Sequence, residues 1–266
     1  MDYLIAALMG LLQGLTEFIP VSSTAHLRIL PELFHQSDFG AAFTAVIQIG
    51  TLFSLLIYFR KDLYSLTYDF FSSLLKKDYK NPGFLLSTYI IAGTVPIIVF
   101  GLLFKKFIEN ELRSLGVIAV SLIVFAILLL ISEKAGKKEK DIRVISLRDA
   151  VLIGIAQAFA LIPGASRSGV TICMALFLGY KRDVSARFSF LLSVPSVLAA
   201  GIFELKEIFR PEVSFDIISV LIASAVSFVS GILAIEFLLR FLVNHRIHIF
   251  AYYRIILGII ILIFFV

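Results

Sequence analysis

Gln13-Gly-Leu-Thr-Glu17-Phe-Ile-Pro20-Val-Ser22-Ser23-Thr24-Ala-His26 is a polar stretch set inside an apolar window that covers residues 3–30. Gln13 and Glu17 are four apart and share one face of a helix. Pro20 ends that helix, and Ser22, Ser23 and Thr24 suit the N-cap of a second one. A helix start offers free backbone N–H groups and the positive end of the helix dipole, both suited to an anion. His26 falls in the first turn of that second helix. A carboxylate, several hydroxyls and an imidazole are thus gathered at one break. Burying Glu17 among apolar residues costs about 2.5–3.5 kcal/mol on insertion scales, so it is a functional candidate by default.

A second break, Pro163-Gly-Ala-Ser166-Arg167-Ser168-Gly-Val-Thr171, interrupts the apolar window 147–179. Pro163-Gly164 stops a helix and lets backbone approach a ligand closely. Ser166, Arg167 and Ser168 lead the next one. Arg167 is permanently charged, and its donor fork matches phosphate. It lies roughly twenty residues from both Arg148 and Arg187, too deep for simple snorkelling to an interface. A helix start with arginine and hydroxyls reads as a phosphate cradle, with Ser22, Thr24, Ser166, Ser168 and Thr171 as candidate phosphate-binding hydroxyls.

The two windows resemble each other. Gly10-Leu-Leu-Gln13 precedes Ile19-Pro20, and Gly154-Ile-Ala-Gln157 precedes Ile162-Pro163. Between and beyond them, apolar windows near 39–59, 84–104, 115–132, 187–203, 216–239 and 249–266 are suited to full spans of about 20 residues. Each half of a broken window is too short to cross alone, which suggests a re-entrant pair of half-helices. The expected fold is an all-α polytopic membrane protein of two inverted repeats, each one re-entrant hairpin plus three transmembrane helices. It forms a single membrane domain, residues 1–266, with repeat one about 1–132 and repeat two about 147–266.

Charge sets the expected orientation. With the N-terminus outside, the inner loops 60–83, 133–148, 180–187 and 240–248 carry 16 Lys/Arg and the outer segments carry 6. That asymmetry favours both termini outside, following the positive-inside rule. Composition agrees with a membrane class. The chain has 266 residues, is 59% hydrophobic and only 16% charged, with mean hydropathy +0.99. Its net charge of +5 is explained by basic inner loops, and nucleic-acid binding is not expected. The Met-Asp-Tyr-Leu-Ile start lacks the basic flank of a signal peptide and is expected to be retained. One cysteine, Cys173, permits no disulfide framework. With no Trp, interfacial anchoring is expected of tyrosines such as Tyr58, Tyr64, Tyr79, Tyr180, Tyr252 and Tyr253. His35, His245 and His248 read as solvated loop residues. Gln48, Ser193 and Arg254 read as interhelical hydrogen-bonding groups. No Gly-Lys-Ser/Thr follows a glycine at P-loop spacing, and after Ser166-Arg167 no histidine comes before His245, unlike the Ser-Arg…His motif of acid-phosphatase-like lipid phosphatases.

The two polar segments resemble the signature motifs of the undecaprenyl-pyrophosphate phosphatase family, the bacitracin-resistance phosphatases. Shorter matches at Val46-Ile-Gln-Ile-Gly50, Ala186-Arg-Phe-Ser-Phe-Leu-Leu-Ser-Val-Pro195 and Tyr253-Arg-Ile-Ile-Leu-Gly258 extend the similarity over nearly the whole chain. The resemblance implies a metal-dependent enzyme of the bacterial plasma membrane that hydrolyses undecaprenyl diphosphate to the monophosphate and recycles the lipid carrier of cell-wall synthesis. It implies interlocking inverted repeats, a site open to the outer face, and Glu17, Ser23, His26 and Arg167 as catalytic residues. Gln13 and Glu17 are the expected ligands of a divalent cation, Mg²⁺ or Ca²⁺, with substrate and water completing its shell. Gln13 stands where the family often has Glu, so this position cannot act as a general base. Ala25 stands where Gly is common. Ser23 and His26 are rival nucleophiles, with water a third. Expected partners are a polyprenyl diphosphate, membrane lipid and a second copy of the chain as a homodimer. The alternative reading is a transporter or flippase of a phosphorylated lipid, since broken half-helices in inverted repeats also build transporters.

Overall fold

Long apolar runs without alternating polar residues fold as helices in lipid because a helix satisfies every backbone group within its own segment. The computed structural model describes residues 3–34, 40–208 and 216–266, and among them every long element is helical. In chain order these are α1 (Tyr3–Phe18), α2 (Ser23–Leu33), α3 (Gly40–Tyr58), α4 (Arg60–Lys76), α5 (Pro82–Glu111), α6 (Leu115–Ala135), α7 (Leu147–Ala158), α8 (Arg167–Phe177), α9 (Arg182–Ile208), α10 (Ile217–Asn244) and α11 (His248–Phe264). Pro82–Phe104, Leu115–Ala135, Arg182–Gly201 and Ile217–Asn244 are each long and apolar enough to cross a membrane. The chain is therefore a multi-pass membrane protein. The expected spans 39–59 and 249–266 form α3 and α11, whose described apolar stretches are shorter. His35 and most of the outer segment 204–215 lie outside the described residues.

Both apolar windows break where proline and the serine clusters sit: α1 gives way to α2 across residues 19–22, and α7 to α8 across 159–166. The short first helices do not pack on their own sequence neighbours alone. α1 lies along α10, and α7 lies along α5. Glycine makes both approaches possible. A methyl group at Gly10 would run into the backbone carbonyl oxygen of Ala223 on α10, and one at Gly154 into that of Gly93 on α5. Each first half-helix thus nests against a long span from the other half of the chain.

Residues 60–83, expected as a loop, contain α4, which ends in a left-handed Lys77. Its Tyr64, Tyr68, Phe71 and Leu75 are exposed. They recur at helical spacing, a pattern that a composition dominated by Lys and Asp at its ends conceals. Tyr180 also departs from expectation. It is buried rather than interfacial, and its hydroxyl donates to Asp149 Oδ2 at 2.6 Å. Burial, with the adjacent Asp149 carboxylate, pushes its phenol above the ordinary tyrosine range. Lys140 approaches the same carboxylate at 3.5 Å. Nearby, Arg182 grips the buried Glu133 through Nε at 3.0 and 3.1 Å and through NH2. These two clusters tie the 136–146 connection to the start of α9.

Candidate active site

α1 stops at Phe18, one residue after Glu17, because Pro20 lacks an amide hydrogen and restricts the residue before it. The chain then turns through Ser22, at φ 74° and ψ 101°, whose side chain accepts from Ala25 N at 3.4 Å to cap α2. The second break repeats this. Ser166, at φ 69° and ψ 115°, accepts from Gly169 N at 3.2 Å and caps α8. Gly164 precedes it at φ 94°, a conformation that glycine adopts without strain. A side chain held at positive φ costs on the order of 1–3 kcal/mol, and such residues cluster at functional sites. Here two serines adopt nearly the same unusual backbone at corresponding points of the two breaks.

These turns bring the segments together around one polar cavity of about 140 Å³. Gln13, Thr16, Glu17, Ser22, Ser23 and Thr24 line it from the first break, Ala160, Ile162, Gly164, Ser166 and Arg167 from the second, and Thr44 and Gln48 from α3. It falls below the roughly 300–1,000 Å³ of sites that enclose a drug-sized ligand, so it suits a headgroup and not a polyprenyl tail.

Glu17 is the hub. Its Oε2 accepts from Ser23 Oγ at 2.7 Å and from Gln13 Nε2 at 3.1 Å. Its Oε1 accepts from Gln48 Nε2 at 3.0 Å and lies 3.6 Å from Arg167 NH2. The Glu17 side chain is 10% exposed and that of Arg167 17%, so the pair sits in a weakly screened setting. Two buried atoms of cavity-lining residues have no partner among the described residues: Arg167 NH1, a charged donor, and Gln13 Oε1, an acceptor. A buried polar atom left unpaired is costly and marks a place where a ligand atom fits. The first calls for an anion and the second for a cation or a donor.

The other sequence-predicted residues divide. Ser22, Thr24 and Ser166 line the cavity. Ser168 is buried behind it, with its hydroxyl 3.2 Å from Ser166 Oγ and 3.5 Å from the backbone oxygen of Glu17. Thr171 is fully buried one turn deeper, donating to Arg167 O at 2.8 Å and meeting Ser189 Oγ at 2.6 Å. His26 is not part of the cavity wall. Its Nδ1 meets Ser22 O at 2.7 Å, which makes that nitrogen the donor, and its Nε2 then accepts from Tyr253 OH at 2.6 Å, with the two rings stacked. Gln48 does form the interhelical hydrogen bond expected of it, but to Glu17, and so joins the site. Its sequence signal was the short match at 46–50.

A multi-pass helical membrane protein with an acid, a hydroxyl and an arginine converging between two broken helices belongs with membrane proteins that handle a phosphorylated headgroup. The chain is a member of the bacitracin resistance protein BacA family, whose model matches residues 6–260. It is 48% identical over 264 residues to a Myxococcus xanthus protein named undecaprenyl-diphosphatase, covering 99% of this chain and 89% of the relative. Proteins of the same name from Chlorobaculum tepidum and Mycolicibacterium smegmatis are 48% identical over 269 residues and 43% over 265. These alignments cover 96% and 98% of this chain, and 94% and 96% of the relatives.

Proposed function

We propose that this protein is a membrane phosphatase that hydrolyses undecaprenyl diphosphate to undecaprenyl phosphate and inorganic phosphate. The observation that carries the chemistry is the 2.7 Å hydrogen bond from Ser23 Oγ to Glu17 Oε2, made within reach of Arg167. A serine is a weak nucleophile until an adjacent base takes its proton. Ser23 Oγ attacks the terminal phosphorus as its proton passes to Glu17. The bond from that phosphorus to the bridging oxygen breaks, and undecaprenyl phosphate leaves with the bridging oxygen. Glu17 passes that proton to the departing undecaprenyl phosphate and is a base again. Water then attacks the phosphoserine, giving its proton to Glu17, which returns it to Ser23 Oγ as inorganic phosphate leaves. Arg167 and the start of α8 stabilise the charge that grows on the phosphoryl oxygens. His26 ties the start of α2 to α11, with its two ring nitrogens engaged by Ser22 O and Tyr253 OH. Anion transport would use Arg167 and the cavity but gives the Ser23–Glu17 contact no task.

A divalent cation, Mg²⁺ or Ca²⁺, fits the donors present only in a limited way. Glu17 and the unpaired Gln13 Oε1 are two oxygens on one helix face. Among the described residues no group of three or more His, Cys, Asp or Glu could hold a metal. Such a pair suits a hard cation that draws most of its ligands from water and the diphosphate. Bound there, it would neutralise phosphate charge.

We further propose inverted repeats, with both termini outside and the cavity open to the outer face. In support, Gly10 and Gly154 make the same close approach to spans of the opposite half, and Ser22 and Ser166 share one cap geometry. The excess of Lys/Arg in the proposed inner loops supports the orientation.

Phosphate release from undecaprenyl diphosphate by the purified protein tests the activity. Release should need a divalent cation and stop with EDTA. No release by the wild type with Mg²⁺ or Ca²⁺ present would overturn the hydrolase reading.

A further inference from the structure

Arg254 lies on α11, outside the cavity wall, and is fully buried. An arginine deep in a membrane protein is costly and calls for a partner. Among the described residues no carboxylate pairs with it. Its NH2 instead donates to two successive backbone oxygens, Gly164 at 3.0 Å and Ala165 at 2.9 Å. Its Nε and NH1 are buried and have no partner there. Gly169, in the first turn of α8, packs so close that a methyl group would lie 2.7 Å from Arg254 NH1.

The two carbonyls are those immediately before Ser166, between the positive-φ Gly164 and the positive-φ cap. Gly164 and Ser166 line the cavity, whereas Ala165 is fully buried. The turn therefore has a cavity side and a rear side, and Arg254 holds the rear. The preceding residue, Tyr253, reaches the other break through His26 Nε2 at 2.6 Å. Consecutive residues of one helix thus grip both broken segments.

We propose that Arg254 is a positioning residue that locks the 164–166 turn, aims Arg167 and the start of α8 at the phosphate, and leaves an uncompensated positive charge behind the anion. Tyr253 sets the facing segment from the same helix. The link to turnover rests on the hydrolase reading above. The anion-binding part does not.

The test uses the full-length protein in detergent with two readouts: turnover of undecaprenyl diphosphate, and the rise in melting temperature caused by inorganic pyrophosphate, which needs no catalysis. In Arg254→Met, kcat/KM should fall about 100-fold, the scale of loss when a reacting group is misplaced by about 1 Å, and the pyrophosphate shift should disappear. Arg254→Lys keeps the charge on a shorter side chain that reaches the two carbonyls less well, so it should recover only part of each. Gly169→Ala keeps Arg254 but crowds its NH1, and should move both readouts in the same direction. If Arg254→Met does not fold, Arg254→Lys and Gly169→Ala decide. Variants that melt earlier yet keep wild-type kcat/KM and the full pyrophosphate shift would reduce Arg254 to a packing residue and overturn the proposal. A wild type that binds pyrophosphate without turnover would sink the hydrolase reading alone.

Discussion

Replacing Glu17 with glutamine removes one charge while leaving shape nearly unchanged, so its cost can be worked from the contacts. The carboxylate takes four donors: Ser23, Gln13, Gln48 and Arg167. The amide keeps one oxygen and turns the other into a donor. If that donor faces Ser23, the hydroxyl must accept instead and its proton has no base. If it faces Gln48, two amide nitrogens meet and Arg167 loses its partner. At 3.6 Å and an effective dielectric of about 20, the lost attraction to Arg167 is on the order of 4 kcal/mol before solvation offsets it. A hydrogen bond to a charged group contributes about 1.5–3 kcal/mol net. General-base catalysis contributes about 10²–10⁴-fold. These effects overlap, and we expect kcat to fall about 1,000-fold, or about 4 kcal/mol in barrier. Phosphate release at saturating substrate measures it, with Gln48→Ala as the control. That variant removes a single supporting bond and should lose only about tenfold. Glu17→Gln retaining more than a tenth of wild-type kcat would refute the assignment of Glu17 as base. Recovery of its activity by excess Mg²⁺ would reassign Glu17 to holding the cation alone.

Ser23→Ala should abolish turnover and any trapped phosphoenzyme, whereas Tyr253→Phe should lower kcat only several-fold, since it removes one hydrogen bond of about 1 kcal/mol. A phosphoenzyme trapped on His26 in rapid-quench experiments would reverse the nucleophile. Gly10→Ala and Gly154→Ala should each lower thermal stability in detergent by about 1–3 kcal/mol or more, because backbone, not a flexible side chain, meets the added methyl. Unchanged melting curves for both would contradict the close packing of α1 on α10 and α7 on α5. Arg182→Met should destabilise by about 3 kcal/mol, since it leaves the buried Glu133 with only Lys138, at 4.0 Å, as a counter-charge. Arg182→Met with Glu133→Gln should recover most of that loss in the same denaturation assay. For orientation, a cysteine at Lys138 should react with membrane-impermeant maleimide only after the cells are opened. Labelling of intact cells would invert the proposed topology.

The residue types of the site were legible in the sequence because lipid makes their presence expensive. Glu17 and Arg167 stand out against apolar neighbours, proline marks each break, and serine marks each new helix start. The same logic exposed the apolar spans, since a bilayer enforces helix and length together. The sequence could not say which hydroxyl or ring nitrogen faces the phosphate. Ser23 and His26 are three residues apart and share a helix turn, so spacing alone ranks them equally. The fold gives them different partners: Tyr253, 227 positions along the chain, bonds the imidazole, while the turn at Ser22 brings Ser23 onto Glu17, and the proposal of Ser23 as nucleophile rests on that difference. Gln48 and Arg254 were visible as polar residues in apolar windows and within the short matches at 46–50 and 253–258, with no partner indicated. Their partners lie 31 and about 90 residues away, and such pairings depend on which helices pack, a property of the whole fold. Helix α4, Arg60–Lys76, was missed inside the expected loop 60–83 because the Lys and Asp of that segment suggest a loop, while the apolar stripe emerges only at helical spacing. Local chemistry thus determined what the two breaks contain. The packing of each first half-helix on the other half of the chain decided that they face one cavity, because neither break can enclose a charged headgroup without the other.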